Sequence, residues 1–305
     1  MKYFFQLIFL FLATNMVAQN GVALVGNDFE VKSLDTKKLT DEKSLETSFE
    51  LLDRMIIVEA KLDGIIGKYI LDTGSPMLIL NKAPKGNSTT LGGISENGKA
   101  ELIKVNDFQW AGISNKEIDA IAFDMSNLEK ALGYKINGLI GQNIYNNYEL
   151  FLDVTNQKVQ LFKPFRSKLH KDNKCQQKIS FSNGSHLPVI TVKIGGKKYR
   201  FGIDTGAEVN VLNKNLKHDL DSNFLQNFQP SNLHGLGGIT QKVESANLTK
   251  FKIKRKEYEN FNFLLTDLTS FEEEYDLQLD GILGYPFLVK NVLSINYQKQ
   301  KIYIW

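Results

Sequence analysis

Apolar and polar residues alternate with a period of two at two matching places in the chain. Val58, Ala60 and Leu62 alternate with Glu59, Lys61 and Asp63; Ile190, Val192 and Ile194 alternate with Thr191, Lys193 and Gly195. A period of two predicts half-buried strands, not helices. Each run leads into a dipeptide, Asp63-Gly64 or Gly195-Gly196, that tolerates the positive φ of a tight hairpin turn. The next strand in each case ends on an acidic residue: YILDTGSPMLILNK at 69–82 and FGIDTGAEVNVLNK at 201–214. Further on, Asn143 to Asn146 and Pro286 to Lys290 read as single helical turns, with Pro286 suited to a first helical position. Two closing strands are expected in each half, Glu149 to Asp153 and Lys158 to Phe162, then Val292 to Asn296 and Lys301 to Trp305.

These parallels are an internal repeat. An offset of 132 (204 − 72) pairs Phe49 with Phe181, Lys61 with Lys193, Gly64 with Gly196, and Leu80-Asn81-Lys82 with Leu212-Asn213-Lys214 without a gap. Later the offset is 143: NGLIG at 137–141 pairs with DGILG at 280–284, and the match runs to Phe162 and Trp305. The second half therefore carries a net insertion of eleven residues (143 − 132) between its matched blocks. The expected architecture is all-β: a first lobe over 49–163, a polar linker over 164–178 and a second lobe over 179–305, with a short helix in each lobe.

The amino-terminal stretch MKYFFQLIFLFLATNMVAQN places Lys2 before an apolar core from Tyr3 to about Ala13, with smaller residues leading to Ala18. That is the pattern of a signal peptide over residues 1–18, and its apolar core is shorter than the roughly 18 to 20 residues that span a bilayer. Export to a periplasmic or extracellular location is expected, with no membrane span left after its removal. Residues 19–48 are charged and weakly patterned, open to reading as a leader, a helix or an inhibitory prosegment.

Composition narrows the function classes. The 305 residues are 42% apolar and 23% charged, with a net charge of +3, so no nucleic-acid partner is implied. The one cysteine, Cys175, has no partner for an intramolecular disulfide and sits in a polar stretch that offers a thiol no activation. His170, His186, His218 and His234 lack metal-ligand spacing, so neither a metal nor a cofactor is expected.

An aspartate closing an apolar strand is costly unless something compensates it. One Asp-Thr-Gly triplet is good turn chemistry and needs no further explanation. Two copies at equivalent points of a duplicated fold raise a second reading, because a pseudo-twofold axis brings a loop from each lobe to its equivalent. Two ionised carboxylates about 3 Å apart would repel by roughly 5 kcal/mol at an effective dielectric near 20. Such a pair shares one proton over a wide pH range and titrates as a unit. One ionised and one protonated carboxyl then supply a general base and a general acid to one water.

Asp72-Thr73-Gly74-Ser75 and Asp204-Thr205-Gly206-Ala207, each followed by an apolar strand and later by Gly138-Leu139-Ile140-Gly141 or Gly281-Ile282-Leu283-Gly284, resemble the retropepsin-like aspartic proteases. The likeness runs from about Phe49 to Trp305, and the shared-proton logic above is that family's own. It implies two acid-protease lobes related by pseudo-twofold symmetry in a pepsin-like single chain, acting as an aspartic endopeptidase. Asp72 and Asp204 would activate the attacking water, Thr73 and Thr205 would bond across the lobes, and Gly74 and Gly206 would permit the tight turns beside Ser75 and Ala207. Gly92, Gly93, Gly237 and Gly238 are the candidate flap glycines. The partner implied is an extended polypeptide in an intramolecular cleft, with the chain a monomer. Asn137 stands where the second lobe has Asp280, which makes the lobes inequivalent. Two alternatives remain open: a non-catalytic peptide-binding or envelope-interaction protein on the same fold, and lobes that pair with those of another chain.

Overall fold

The computed structural model describes residues 12–14, 45–85, 89–90, 99–182, 186–234, 240–269 and 278–305, and these are mostly strand. Leu12–Thr14 forms a short first strand (β1). The first half continues with Leu45–Ser48 (β2), Glu50–Leu52 (β3), Met55–Leu62 (β4), Ile65–Leu71 (β5), Leu78–Asn81 (β6), Thr89–Thr90 (β7), Lys99–Trp110 (β8) and Ile113–Phe123 (β9). Helix Ser126–Leu132 (α1), Gly138–Ile140 (β10), helix Gln142–Tyr145 (α2), Glu149–Asp153 (β11) and Lys158–Phe162 (β12) complete it. Helix Lys168–Asp172 (α3) then leads to Gln177–Ser180 (β13), Val189–Ile194 (β14), Lys197–Ile203 (β15), Asn210–Asn213 (β16) and helix Leu216–Asp219 (α4). The chain ends with Leu225–His234 (β17), Thr240–Ile253 (β18), Lys256–Thr266 (β19), Gly281–Leu283 (β20), helix Tyr285–Leu288 (α5), Leu293–Asn296 (β21) and Lys301–Ile304 (β22).

The first half builds one eight-stranded sheet; in the other, seven strands of the second half are joined by β1, which lies within the stretch read from sequence as a signal peptide and pairs antiparallel with β17. The orders are β3-β4-β5-β10-β6-β9-β8-β7, with β4 also reaching β8, and β1-β17-β18-β14-β15-β20-β16-β19, with β18 also reaching β19. The repeat read from the sequence is a repeat of register. Gly138, Leu139 and Ile140 pair in parallel with Tyr69, Ile70 and Leu71, and Gly281, Ile282 and Leu283 pair in parallel with Phe201, Gly202 and Ile203. The hairpin turns form where expected, with Asp63, Gly64, Gly195 and Gly196 all at positive φ.

The substitution of Asn137 for Asp280 turns out to preserve a contact. Asn137 Oδ1 accepts from the Lys68 amide at 2.9 Å, and Asp280 Oδ2 accepts from the equivalent Arg200 amide at 2.7 Å. Either side chain offers the acceptor that this seat requires. The helical turns begin earlier than the sequence predicts, and Pro286 occupies the second helical position. The reason is an anchor on the first helical residue of each: the Gln142 amide donates to Ser75 O and the Tyr285 amide to Ala207 O, both at 2.8 Å.

A six-stranded sheet, β13-β22-β21-β11-β12-β2, joins the halves through the antiparallel pair of β11 and β21. β2 falls in the segment assigned to the leader from sequence, and α3 in the segment assigned to the linker. Glu149, fully buried on β11, accepts from Ser294 Oγ at 2.6 Å and Asn296 Nδ2 at 2.8 Å, both on β21, while His170 Nε2 of α3 lies 2.9 Å from each carboxylate oxygen. Trp305 Nε1 donates to Ser294 Oγ at 3.1 Å, tying in the last residue. One carboxylate thus gathers strands of both halves and the segment between them. Glu149→Ala removes the common acceptor and leaves two buried polar groups, Ser294 and Asn296, and the partly buried His170 without it, so folding stability should fall by about 3 kcal/mol in urea denaturation. An unchanged midpoint would show that the joint does not depend on this network.

Candidate active site

β5 and β15 each run buried through their last three residues before reaching the acidic position. The parallel partner strand then supplies the backbone seat: Asp72 N donates to Ile140 O at 3.1 Å and Asp204 N to Leu283 O at 3.0 Å. Past each aspartate the chain turns back on itself. Gly74 N and Ser75 N donate to Asp72 Oδ1 at 2.8 and 3.1 Å, and Gly206 N donates to Asp204 Oδ1 at 2.8 Å.

Four hydrogen bonds cross between the lobes here. Thr73 N donates to Thr205 Oγ1 at 2.9 Å and Thr205 N to Thr73 Oγ1 at 3.0 Å. Thr73 Oγ1 donates to Ile203 O at 3.1 Å, and Thr205 Oγ1 to Leu71 O at 2.7 Å. Each hydroxyl therefore accepts from one loop position and donates to another on the opposite strand. A serine could supply the same atoms, but valine could not.

The crossing brings the two carboxyls side by side. A Cβ added at Gly206 would lie 2.6 Å from Asp72 Cγ, and one at Gly74 would lie 2.8 Å from Asp204 Oδ2. Each glycine is thus the space in which the opposite lobe's carboxyl sits. Asp72 is 0% and Asp204 1% exposed. Asp72 Oδ2 meets no hydrogen-bond donor among the described residues. The adjoining Asp204 carboxyl can fill that role when the pair holds a proton. Burial, then the charge and contact of Asp204, push the Asp72 pKa well above the ordinary carboxylate range, outweighing the Gly74 and Ser75 amides. Burial also raises Asp204, against the lowering effect of the Gly206 amide, the Asp72 carboxyl and the Gly74 amide.

Of the site residues expected from sequence, Asp72, Thr73 and Gly74 of the first lobe thus meet Asp204, Thr205 and Gly206 of the second, and Ser75 and Ala207 follow in the same loops. The loops differ at their fourth residue. Ser75 Oγ donates to Met77 O at 2.6 Å, a bond that Ala207 cannot make. Gly92, Gly93, Gly237 and Gly238 lie outside the described residues; the segments that contain them are bracketed by the antiparallel pairs Thr90 with Lys99 and His234 with Thr240. Among the described residues, no group of three or more His, Cys, Asp and Glu side chains is placed to hold a metal.

Sequence reasoning missed several neighbours. Asn210 is fully buried and its Oδ1 accepts from Gly284 N at 3.0 Å, fastening the second loop to the glycine block. Arg54 of the first lobe reaches Glu208 of the second at 3.7 Å. His186 bonds to the Gly74 backbone, and burial lowers its pKa to about 4. The one available signal was mismatch within the repeat, since Arg54 aligns with His186 and Pro76 with Glu208.

Residues 190–287 match the aspartyl protease family, a segment that holds Asp204 and the Gly281–Gly284 block. The resemblance to the retropepsin-like aspartic proteases therefore holds over most of the second lobe, and the activity this supports is that of a peptidase. The first lobe is tied to it by the shared register described above. No curated protein matches the chain.

The raised pKa values make folding proton-linked. In the unfolded chain both aspartates lose their protons near pH ~4, whereas the folded pair retains one to higher pH. Folding takes up protons between those limits, so the pair's contribution to stability is present in acid and lost as pH rises through its folded range. Urea denaturation from about pH 4 to about pH 8 should show this fall in the wild type relative to an Asp72→Asn, Asp204→Asn double variant. Parallel stability curves for the two proteins would contradict the shared proton.

Proposed function

We propose that the protein is an exported aspartic endopeptidase that hydrolyses peptide bonds with a water activated between Asp72 and Asp204. The observation that carries this reading is the pair of buried carboxyls held side by side by crossed threonine bonds, with both pKa values raised. A buried pair of this kind has one proton to give and one site to receive one.

The ionised carboxylate takes a proton from water as its oxygen bonds to the substrate carbonyl carbon. The protonated carboxyl gives its proton to the carbonyl oxygen, producing a neutral gem-diol. Collapse of that intermediate breaks the C–N bond, with a proton delivered to the leaving nitrogen and one hydroxyl proton returned to the pair. No acyl-enzyme forms, and the dyad ends as it began, holding one proton. The amides on Asp72 Oδ1 and Asp204 Oδ1 keep both carboxyls fixed through the cycle. The substrate is an extended polypeptide bound by strand-like backbone hydrogen bonds between the lobes of one chain.

Asp72→Asn and Asp204→Asn should each reduce peptide hydrolysis by at least about a thousandfold while circular dichroism stays that of the wild type. Turnover near wild-type rate in either variant rejects the two-carboxylate mechanism. Peptide binding without turnover in the wild type supports the non-catalytic alternative instead. Export rests on the Lys2 and apolar-core pattern of residues 1–18. Mass spectrometry of the protein from its native host should find an amino terminus past about residue 18; an intact Met1 form in the cytoplasm rejects it.

A further inference from the structure

The two lobes build the same corner of sheet from different side chains. In the first lobe a cross-strand row runs Ile66–Lys61–Gln109–Ser114 through β5, β4, β8 and β9. Its counterpart in the second lobe, through β15, β14, β18 and β19, runs Lys198–Lys193–Lys252–Glu257. Two hairpin turns flank each row. Ile65 and Ala111-Gly112 of the first lobe answer to Lys197 and Lys254-Arg255 of the second, and Asp107 answers to Lys250.

The seven cations of the second-lobe corner are all exposed. β19 brings Glu257 and Glu259 opposite Lys252 and Lys250, and the charge of Asp219 in α4 reaches Tyr199, next to Lys198. Among the described residues, the one ion pair these cations make is Lys252 with Glu257, at 3.0 Å. The surplus of cations at this corner exceeds the net charge of the whole chain, +3, so charge is segregated over the molecule. Folding does not call for it, because the first lobe forms the same row and turns with Lys61 and Asp107 as the charged residues at those positions. Like charges directly opposite on neighbouring strands destabilise a sheet, so Lys198, Lys193 and Lys252 stand together at a cost. An anion laid across them removes it.

Two features define that anion. The exposed large apolar side chains among the described residues, Ile65, Ile66, Leu102, Phe165 and Phe228, lie outside the corner, which leaves charge as its means of contact and gives it no aromatic platform for nucleic-acid bases. The cations are also spread over two adjacent hairpins, with strands about 4.8 Å apart, a breadth that meets a plane of headgroups more fully than a single linear chain.

We propose that the corner formed by the β14–β15 and β18–β19 turns is a docking surface for membranes rich in anionic phospholipid, held by charge and without insertion. β15 runs from Lys197 at this corner to Ile203, next to Asp204, so at about 3.3 Å per residue the dyad stands roughly 20 Å away at the other end of the strand. Docking therefore leaves the dyad's end of the strand clear of the surface. The inference goes beyond the peptidase reading and stands whether or not the dyad hydrolyses peptides.

The test is co-sedimentation of the full chain with vesicles of phosphatidylcholine alone and of phosphatidylcholine with phosphatidylglycerol. Three proteins are compared: the wild type, a corner variant (Lys197→Gln, Lys198→Gln, Lys254→Gln, Arg255→Gln) and a control of equal charge change in the first lobe (Lys85→Gln, Lys104→Gln, Lys130→Gln, Lys135→Gln). Residues 1–18 are common to all three, so any affinity of that apolar segment cancels. The wild type and the control should bind the anionic vesicles in preference to the neutral ones, the corner variant should bind them at least about tenfold more weakly, and about 0.5 M salt should release the protein. Equal loss in the control, or no preference for anionic lipid in the wild type, overturns the inference. So does binding to heparin without binding to vesicles, which would assign the corner to a soluble linear polyanion. If the corner variant fails to fold, Lys193→Gln with Lys252→Gln carries the same comparison. Peptide hydrolysis in solution should be equal in wild type and corner variant; its absence from both removes the peptidase reading and leaves the docking surface in place.

Discussion

Two carboxyls buried against each other are the constraint from which the rest of the site follows. Left to themselves they would separate or draw in water, since neither like charge nor an unpaired carboxylate is tolerated in a dry interior. The Thr73 and Thr205 bonds prevent separation by making each loop a hydrogen-bond partner of the other lobe's strand. Gly74 and Gly206 leave room for the opposite carboxyl, and the amides that follow hold one oxygen of each. A shared proton would relieve the remaining repulsion, and the chemistry proposed for the pair rests on it.

That arrangement demands that the lobes keep their relation to each other, and a second joint some distance along the chain provides it. β11 and β21 pair antiparallel, and Glu149 fastens them with α3 through buried bonds to Ser294, Asn296 and His170. The crossed threonines join the loops, and the six-stranded sheet joins the halves a second time.

Much of this was legible in the order of residues. Strand identity followed from the period-two pattern around Val58 and Ile190, whereas the parallel register of β5 with β10 and of β15 with β20 joins blocks separated by the eleven-residue insertion and came only with the structure. The twin Asp-Thr-Gly triplets marked the candidate site because an acidic residue ending an apolar strand needs a reason, and two need a common one. Other features left no local trace. α1 spans Ser126–Leu132, with Leu128 and Leu132 on its buried face and left-handed Gly133 at its end, a pattern too short to stand out between strands. Glu149 reads as the polar start of a strand; its burial depends on partners more than a hundred residues away. Tyr145 and Tyr297, and Arg54 and Glu208, likewise come into contact only when the lobes meet, and nearest-neighbour patterns carry no information about that meeting.

The halves are covalently one molecule, yet each completes the other's loop. Had the same pair of loops come from two copies of a single lobe, every substitution would have appeared on both sides of the axis at once. In this chain Ser75 answers to Ala207, Glu149 to Val292 and Tyr145 to Leu288, with each exchange confined to one side. An internal repeat carried on one chain releases each half from exact symmetry, so that one lobe can change at a position its twin keeps.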